Sequence, residues 1–273
     1  MEKLRRNERI GALMNVLTNR PNHIFTYNYF TDKFNAAKST ISEDIVILKR
    51  LVNKLNLGHI ETISGAAGGV KFVPQMSQNQ IKEFLMETCE YLSSTDRIIP
   101  GGFIYMTDIL YYPDIVNNIG RIFASYFVNK DIDYVVTVET KGIPIALTTA
   151  NVLNVPLVIV RRNAKVTEGP TVSINYVTGS TKQIHTMSLS RKAIKEGSNV
   201  LIIDDFMKAG GTAKGIKDMM KEFNVNVSGI GVFISTEHPN DKLVKDYISL
   251  LTLKGVDEEK EKVYIEPSKG ING

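Results

Sequence analysis

A single cysteine in 273 residues, Cys89, leaves no internal disulfide and suits a reducing compartment. No apolar run approaches the length of a bilayer span, and the charged opening Met-Glu-Lys-Leu-Arg-Arg lacks the apolar core of a signal peptide. A soluble, cytoplasmic protein with no membrane partner is therefore expected. No internal repeat or low-complexity segment appears, which argues against a solenoid or a disordered tail. Excess positive charge is missing from most of the chain. Residues 1–74 hold 11 Lys and Arg against 6 Asp and Glu, a net +5, while the remainder holds 22 against 23, a net −1. That imbalance points to an acidic polymer as partner of the first quarter, or to a plain solvated basic surface. The length suits two domains, each large enough to bury a core.

Within the basic quarter, Ile10, Leu13, Met14 and Leu17 make a helical stripe, broken at Asn19-Arg20-Pro21. A short helix is expected from about Thr26 to Phe34. A third follows the Asn35-Ala36-Ala37 turn, with Ser39 and Thr40 as caps and Ile41, Ile45, Leu48, Val52 and Leu55 as its apolar stripe. Three helices with a tight turn before the third make a helix-turn-helix. After Gly58 the period changes to that of strands: His59–Ile63, a glycine-rich turn at 64–69, and Val70–Val73 closed by Pro74. The hairpin makes this a winged helix, unless the three helices are only a structural subdomain. In the winged reading Lys38, Ser39, Thr40, Ser42 and Lys49 face the major groove. Arg5, Arg6 and Arg9 contact phosphates from the first helix, and Gly68, Gly69 and Lys71 bring the wing to the DNA backbone.

A connecting helix over residues 75–96, with Ile81, Phe84, Leu85, Thr88 and Leu92 along one side, leads into alternating strands and helices. We therefore divide the chain into residues 1–74 and 75–273. The informative run is Val200–Thr212, V-L-I-I-D-D-F-M-K-A-G-G-T. Four apolar residues make a strand buried on both faces, as in parallel sheets. Asp204 and Asp205 are placed at its end, and Gly210, Gly211 and Thr212 lead into a helix with Ile216, Met219, Met220 and Phe223 on one side. A glycine turn and a helix N-terminus hold a phosphate; two acceptor carboxylates suit the two donor hydroxyls of a ribose.

This run resembles the 5-phosphoribosyl-1-pyrophosphate (PRPP) motif of type I phosphoribosyltransferases. It departs from it at Ala209, where active enzymes carry Thr or Ser, and in the Phe206-Met207-Lys208 insert. The resemblance extends over nearly the whole length of the second domain and implies an α/β, parallel-sheet domain. Thr140, Lys141 and Gly142 then belong to a pyrophosphate loop, whose Thr140–Lys141 region is a candidate for a non-proline cis peptide. Lys141 and Arg161, with Arg162 left open, would face the diphosphate alongside Mg2+. Phe103 and Phe206 could each stack on a purine or be core, and Lys165 and Tyr176 fall in a hairpin over 167–189 whose role is open.

A winged helix fused to such a domain resembles the purine operon repressors of Gram-positive bacteria over the whole chain. It includes the Ser39, Ser42, Glu43, Asp44 helix, the G-A-A-G-G-V-K wing and D-D-F-M-K-A-G-G-T. The resemblance implies a dimeric repressor of purine genes acting on double-stranded operator DNA. PRPP would be the inducer, guanosine tetraphosphate or other purine nucleotides its competitors. No redox cofactor, resident metal or catalytic residue is expected. The alternative is an active purine phosphoribosyltransferase with a helical extension.

Overall fold

The computed structural model describes residues 4–65, 68–164, 167, 169–177 and 183–271, which divide into two compact units. The first comprises residues 1–77 with 151–154, the second 78–150 and 155–273.

Helices α1 (Arg6–Asn19), α2 (Tyr27–Phe34) and α3 (Lys38–Lys54) open the first unit. The antiparallel hairpin β1 (Gly58–Ile63) and β2 (Gly69–Pro74) follows. Thr26 caps α2 by accepting from the Tyr29 N–H at 3.2 Å, and Asn35 ends it in the left-handed conformation that asparagine tolerates. The cap assigned to α3 is wrong. The helix starts at Lys38 after Ala37, so Ser39 and Thr40 lie inside its first turn with no capping bond. Leu13 and Leu17, Phe30 and Phe34, and Ile41, Ile45, Leu48 and Val52 close one core beneath Ile60, Val70 and Phe72. Leu55, expected in that stripe, is exposed because the helix has already ended. An isolated β-bridge between Phe25 and Val70 ties the segment before α2 to the wing.

The second unit begins with α4 (Gln78–Leu92), whose Ile81, Leu85, Thr88 and Leu92 are buried as expected. A 3-10 turn (Thr95–Arg97), the two-residue strands β3 (Ile98–Ile99) and β4 (Phe103–Ile104), and α5 (Thr107–Leu110) come next. The α/β body is α6 (Pro113–Phe127), β5 (Tyr134–Val138), α7 (Ile143–Leu153) and β6 (Leu157–Val160), then the hairpin β7 (Thr171–Val177) and β8 (Ile184–Ser190). It closes with β9 (Asn199–Met207), α8 (Gly211–Glu222), β10 (Asn226–Thr236), β11 (Ile248–Asp257) and β12 (Lys262–Pro267). Six strands form one sheet in the order β12-β11-β10-β9-β5-β6, parallel except for β12. Val200, Leu201, Ile202 and Ile203 are fully buried in its centre, each contributing about 1.5–3 kcal/mol by leaving water. Ile216, Met219 and Met220 of α8 pack on one face, and the β7–β8 hairpin lies on α8 with Met187 buried.

Candidate functional site

The order of winding reverses between β5 and β9, since β5 leads to β6 on one side and β9 to β10 on the other. Ligands of open α/β sheets lie at the carboxyl ends of the strands at such a point. Here the opening has a visible cause. β5 and β9 pair no further than Val136 with Ile202, while β9 stays paired with β10 as far as Met207 with Ser235. Asp204 and Asp205 therefore sit within a strand that β5 no longer accompanies, not at its end as the sequence suggested.

Two adjoining cavities lie at this carboxyl end of β9, the larger one in the gap. One of about 170 Å3 is lined by Asp204, residues 206–213 and Val232. The other, about 280 Å3, is lined by residues 138–141, Arg162, Asp204–Phe206 and Thr212. Asp204, Phe206 and Thr212 belong to both. In the smaller one, Gly210 turns the chain at φ +80°, and a Cβ there would also press on Val244 at 3.2 Å. No side chain caps α8, so its first-turn N–H groups and positive end are left for an anion.

Asp204 belongs to the shared wall, and Asp205 lines the larger cavity beside it. Asp204 is buried and accepts from the Asp205 N–H at 3.0 Å. Burial, and then the neighbouring Asp205 charge, hold the Asp204 carboxyl well above the usual carboxylate range. Burial also raises Asp205, against the pull of its hydrogen bond to Asp204 and of the Lys141 charge. Two desolvated carboxyls this close hold a proton more firmly than separate ones, and a nearby cation favours its loss.

On the opposite wall the non-proline cis peptide joins Glu139 to Thr140, one bond before the expected place. Gly142 is required by close approach: a Cβ there would meet Thr137 Oγ1 at 2.6 Å and Asp204 Oδ1 at 3.0 Å. The buried Thr137 hydroxyl finds no hydrogen-bond partner among the described residues. Glu139 accepts from the Arg162 N–H at 2.8 Å and from Arg161 Nη1 at 3.4 Å. Arg161 pairs with Glu139, which lines the larger cavity, and Lys141 and Arg162 are cationic residues of that lining.

In the first unit Lys38, Ser39 and Ser42 are exposed on α3 and Thr40 is half-buried. Lys49 reaches Thr62 on the hairpin at 2.6 Å. Lys71 pairs with Glu61 at 3.0 Å. Gly69 is needed because its Cβ would strike the Phe25 carbonyl at 2.2 Å, a packing reason and not one of DNA approach. Gly68 lies equally close to the Ile63 carbonyl, at 2.3 Å, and the wing tip at Ala66 and Ala67 lies outside the described residues. Arg5 is exposed, but Arg6 pairs with Glu43 at 2.8 Å and with Asp44 at 3.3 Å. Arg9 was misassigned as a phosphate contact. Its side chain is 7% exposed, and its guanidinium donates to Asp44, itself fully buried, and to the Leu4 carbonyl.

Residues 5–74 match the family model for the N-terminal region of the bacterial purine repressor, and residues 106–265 that of the phosphoribosyl transferase domain. The chain is 47% identical to the purine biosynthesis transcriptional repressor PurR of Bacillus subtilis, across 97% of this chain and 93% of that protein. The chain belongs to the bacterial purine repressor family. Relatives with other names are similar too. The purine biosynthesis transcriptional activator PurR of Lactococcus lactis is 41% identical over 93% of this chain and 94% of its own. Adenine phosphoribosyltransferase of Saccharomyces cerevisiae shares the fold, with a TM-score of 0.52 and 21% identity over 61% of this chain and 98% of that one.

In this purine repressor family member the structure brings together Thr140, Lys141, Gly142, Asp204, Asp205 and the whole run Phe206–Thr212. Phe103 is not among them: it is 65% exposed on the β3–β4 hairpin and lines neither cavity. Lys165 lies outside the described residues, and Tyr176 packs against Gly215 of α8. Sequence reasoning missed Lys242, which lies under the glycine turn, and Arg50, which is exposed on α3. Arg50 was legible: it follows Ser39, Ser42 and Val46 round the same helical face. Among the described residues no group of three or more acidic, His or Cys side chains could hold a metal, and no helix is long and apolar enough to cross a membrane.

Proposed function

We propose that this protein represses purine biosynthesis and transport genes, with residues 1–74 binding double-stranded operator DNA and residues 75–273 sensing PRPP. The observation that carries this reading is the double cavity at the β5–β9 gap. One cavity is walled by an uncapped helix N-terminus, the other by Lys141 and Arg162, and the acidic pair stands between them. A ribose bearing a phosphate at one end and a diphosphate at the other matches that order of charges. PRPP would act as inducer, with guanosine tetraphosphate or other purine nucleotides competing for the same cavities. The protein would act as a homodimer on inverted half-sites. The two carboxylates suit Mg2+ arriving on the diphosphate, since that ion prefers hard oxygens and keeps several waters. When bound it would supply charge neutralisation; Asp204 and Asp205 would orient the ribose hydroxyls.

The test is operator-fragment binding titrated with PRPP and Mg2+ at one stated salt concentration. Release by PRPP supports the reading, and indifference to it sinks it. The activator reading rests on the name of the Lactococcus lactis relative. Deleting the gene separates the two: purine transcripts rise if the protein represses and fall if it activates.

No transferase activity is expected. Turnover needs the base held in line and the departing pyrophosphate stabilised. Ala209 offers no hydroxyl to the phosphate turn, and Phe103, one candidate to hold a base, is not at the cavity. Purified protein with Mg2+, PRPP and adenine, guanine, hypoxanthine or xanthine should release no pyrophosphate above background. Sustained release would make it an enzyme.

For DNA, the exposed Arg5 and Arg50 are the expected phosphate partners, while Thr40 and Ser42 are expected at base edges. Arg5→Ala with Arg50→Ala should weaken operator and random DNA alike and flatten the log–log salt dependence by about 0.9 for each phosphate no longer neutralised. Thr40→Ala or Ser42→Ala should instead narrow the gap between operator and random DNA. An unchanged salt slope removes the two arginines from the interface.

A further inference from the structure

We propose that Lys242 is a positioning residue for the phosphate subsite: its buried ammonium holds the carbonyls behind the glycine turn so that the turn's N–H groups face the anion. The proposal rests on the PRPP reading and adds to it the loop that shapes one end of the site. Residues 237–244 leave β10 and return beneath the turn. Lys242 is only 9% exposed, and its Nζ donates to the Lys208 carbonyl at 2.6 Å, the Pro239 carbonyl at 3.2 Å and Thr236 Oγ1 at 3.4 Å. All three ammonium donors are thereby used. The Thr236 hydroxyl donates to the His238 carbonyl at 2.6 Å, with the same Lys208 carbonyl at 3.1 Å as its longer acceptor, and the Leu243 N–H donates to the Ala209 carbonyl at 2.9 Å.

In a trans peptide the carbonyl and the following N–H point in opposite directions. With the Lys208 and Ala209 carbonyls both drawn to the 237–244 loop, the N–H groups of Ala209 and Gly210 turn the other way, toward the cavity lined by residues 206–213. Together with the uncapped first turn of α8 they make a concave array of donors, the backbone form suited to a phosphate. Charge strengthens the geometry. Among the described residues no carboxylate pairs with Lys242, and burial lowers its pKa with no acidic neighbour opposing. A buried ammonium lacking a counter-ion is costly. A phosphate monoester in the turn is the group that would offset it, so the residue favours a phosphorylated sugar over the same sugar without phosphate.

The test compares two probes on the full-length protein by calorimetry. Ribose 5-phosphate reports the glycine turn; inorganic pyrophosphate with Mg2+ reports the Lys141 cavity. Lys242→Met should bind ribose 5-phosphate about tenfold more weakly, the effect of removing one charge-assisted interaction, with pyrophosphate binding unchanged. Lys242→Arg, which keeps charge and donors, should recover most of the affinity. If Lys242→Met does not fold, Lys242→Gln, which keeps a donor without the charge, carries the same comparison. Unchanged ribose 5-phosphate binding overturns the proposal. So does equal weakening of both probes with a lowered Tm, because Lys242 would then be a fold support only. Failure of the wild-type protein to bind PRPP overturns the effector reading itself, a separate result.

Discussion

The double variant Asp204→Asn, Asp205→Asn is expected to bind operator as the wild type does, and to stay bound at PRPP concentrations that release the wild type. Asparagine keeps the shape of the shared wall but replaces two negative acceptors by amides whose N–H groups face the ribose hydroxyls. Each charge-assisted hydrogen bond removed takes away roughly 1.5–3 kcal/mol, or about tenfold to a hundredfold in affinity. An inducer shifts an equilibrium only through its different affinity for the two states, so a protein that cannot hold PRPP cannot be induced. In cells the purine genes stay low whatever the PRPP level. Acidity supplies an internal control. Both carboxyls are raised in the free site, chiefly by burial, so at any pH where the free pair still holds a proton, binding displaces it. Wild-type affinity for PRPP should therefore rise with pH until the free pair is ionised, with protons released on binding, and the Asn variant should lack this component. Normal release by PRPP, or failure of a folded variant to bind operator, would refute the role given to the pair.

The parts of this site that were legible in the sequence are those set by local patterns. Val200–Ile203 could only be a central strand, and Gly210-Gly211-Thr212 before the Ile216, Met219, Met220 stripe could only be a turn into a helix. What depended on partners elsewhere in the chain was not. Asp204 and Asp205 are inside β9 because β10 accompanies that strand to its end while β5 leaves it early, a fact of pairing that no local window carries. Arg161 and Arg162 are equivalent as letters; only the fold shows that Glu139 accepts from the side chain of one and from the backbone N–H of the other. Lys242, 34 residues beyond Lys208, gives no signal at all until the 237–244 loop is seen to close under the turn.

Arg9 is the opposite case, a residue whose true place was legible and was overlooked. It stands four residues before Leu13 and eight before Leu17, on the face of α1 that enters the core. Asp44 lies likewise beside Ile41, Ile45 and Leu48 on the buried face of α3. Opposite charges on the packed faces of two helices belong to each other before they belong to DNA. Arg9→Ala should therefore unfold the first unit at lower temperature and lower urea, losing about 3–5 kcal/mol, because a carboxylate is left buried and unpaired. Arg6, half-exposed and bonded to the same carboxylate at 3.3 Å, compensates only in part. A double-mutant cycle decides between structure and binding. With Asp44→Leu already in place, Arg9→Met should cost far less than Arg9→Met costs alone, since neither charge is then orphaned. A phosphate-binding arginine behaves otherwise: removing it would lower the salt slope of DNA binding, leave stability untouched and take no notice of residue 44. If Arg9→Ala folds with wild-type stability and binds DNA with a flatter salt dependence, the buried pair described here is not what holds α1 to α3.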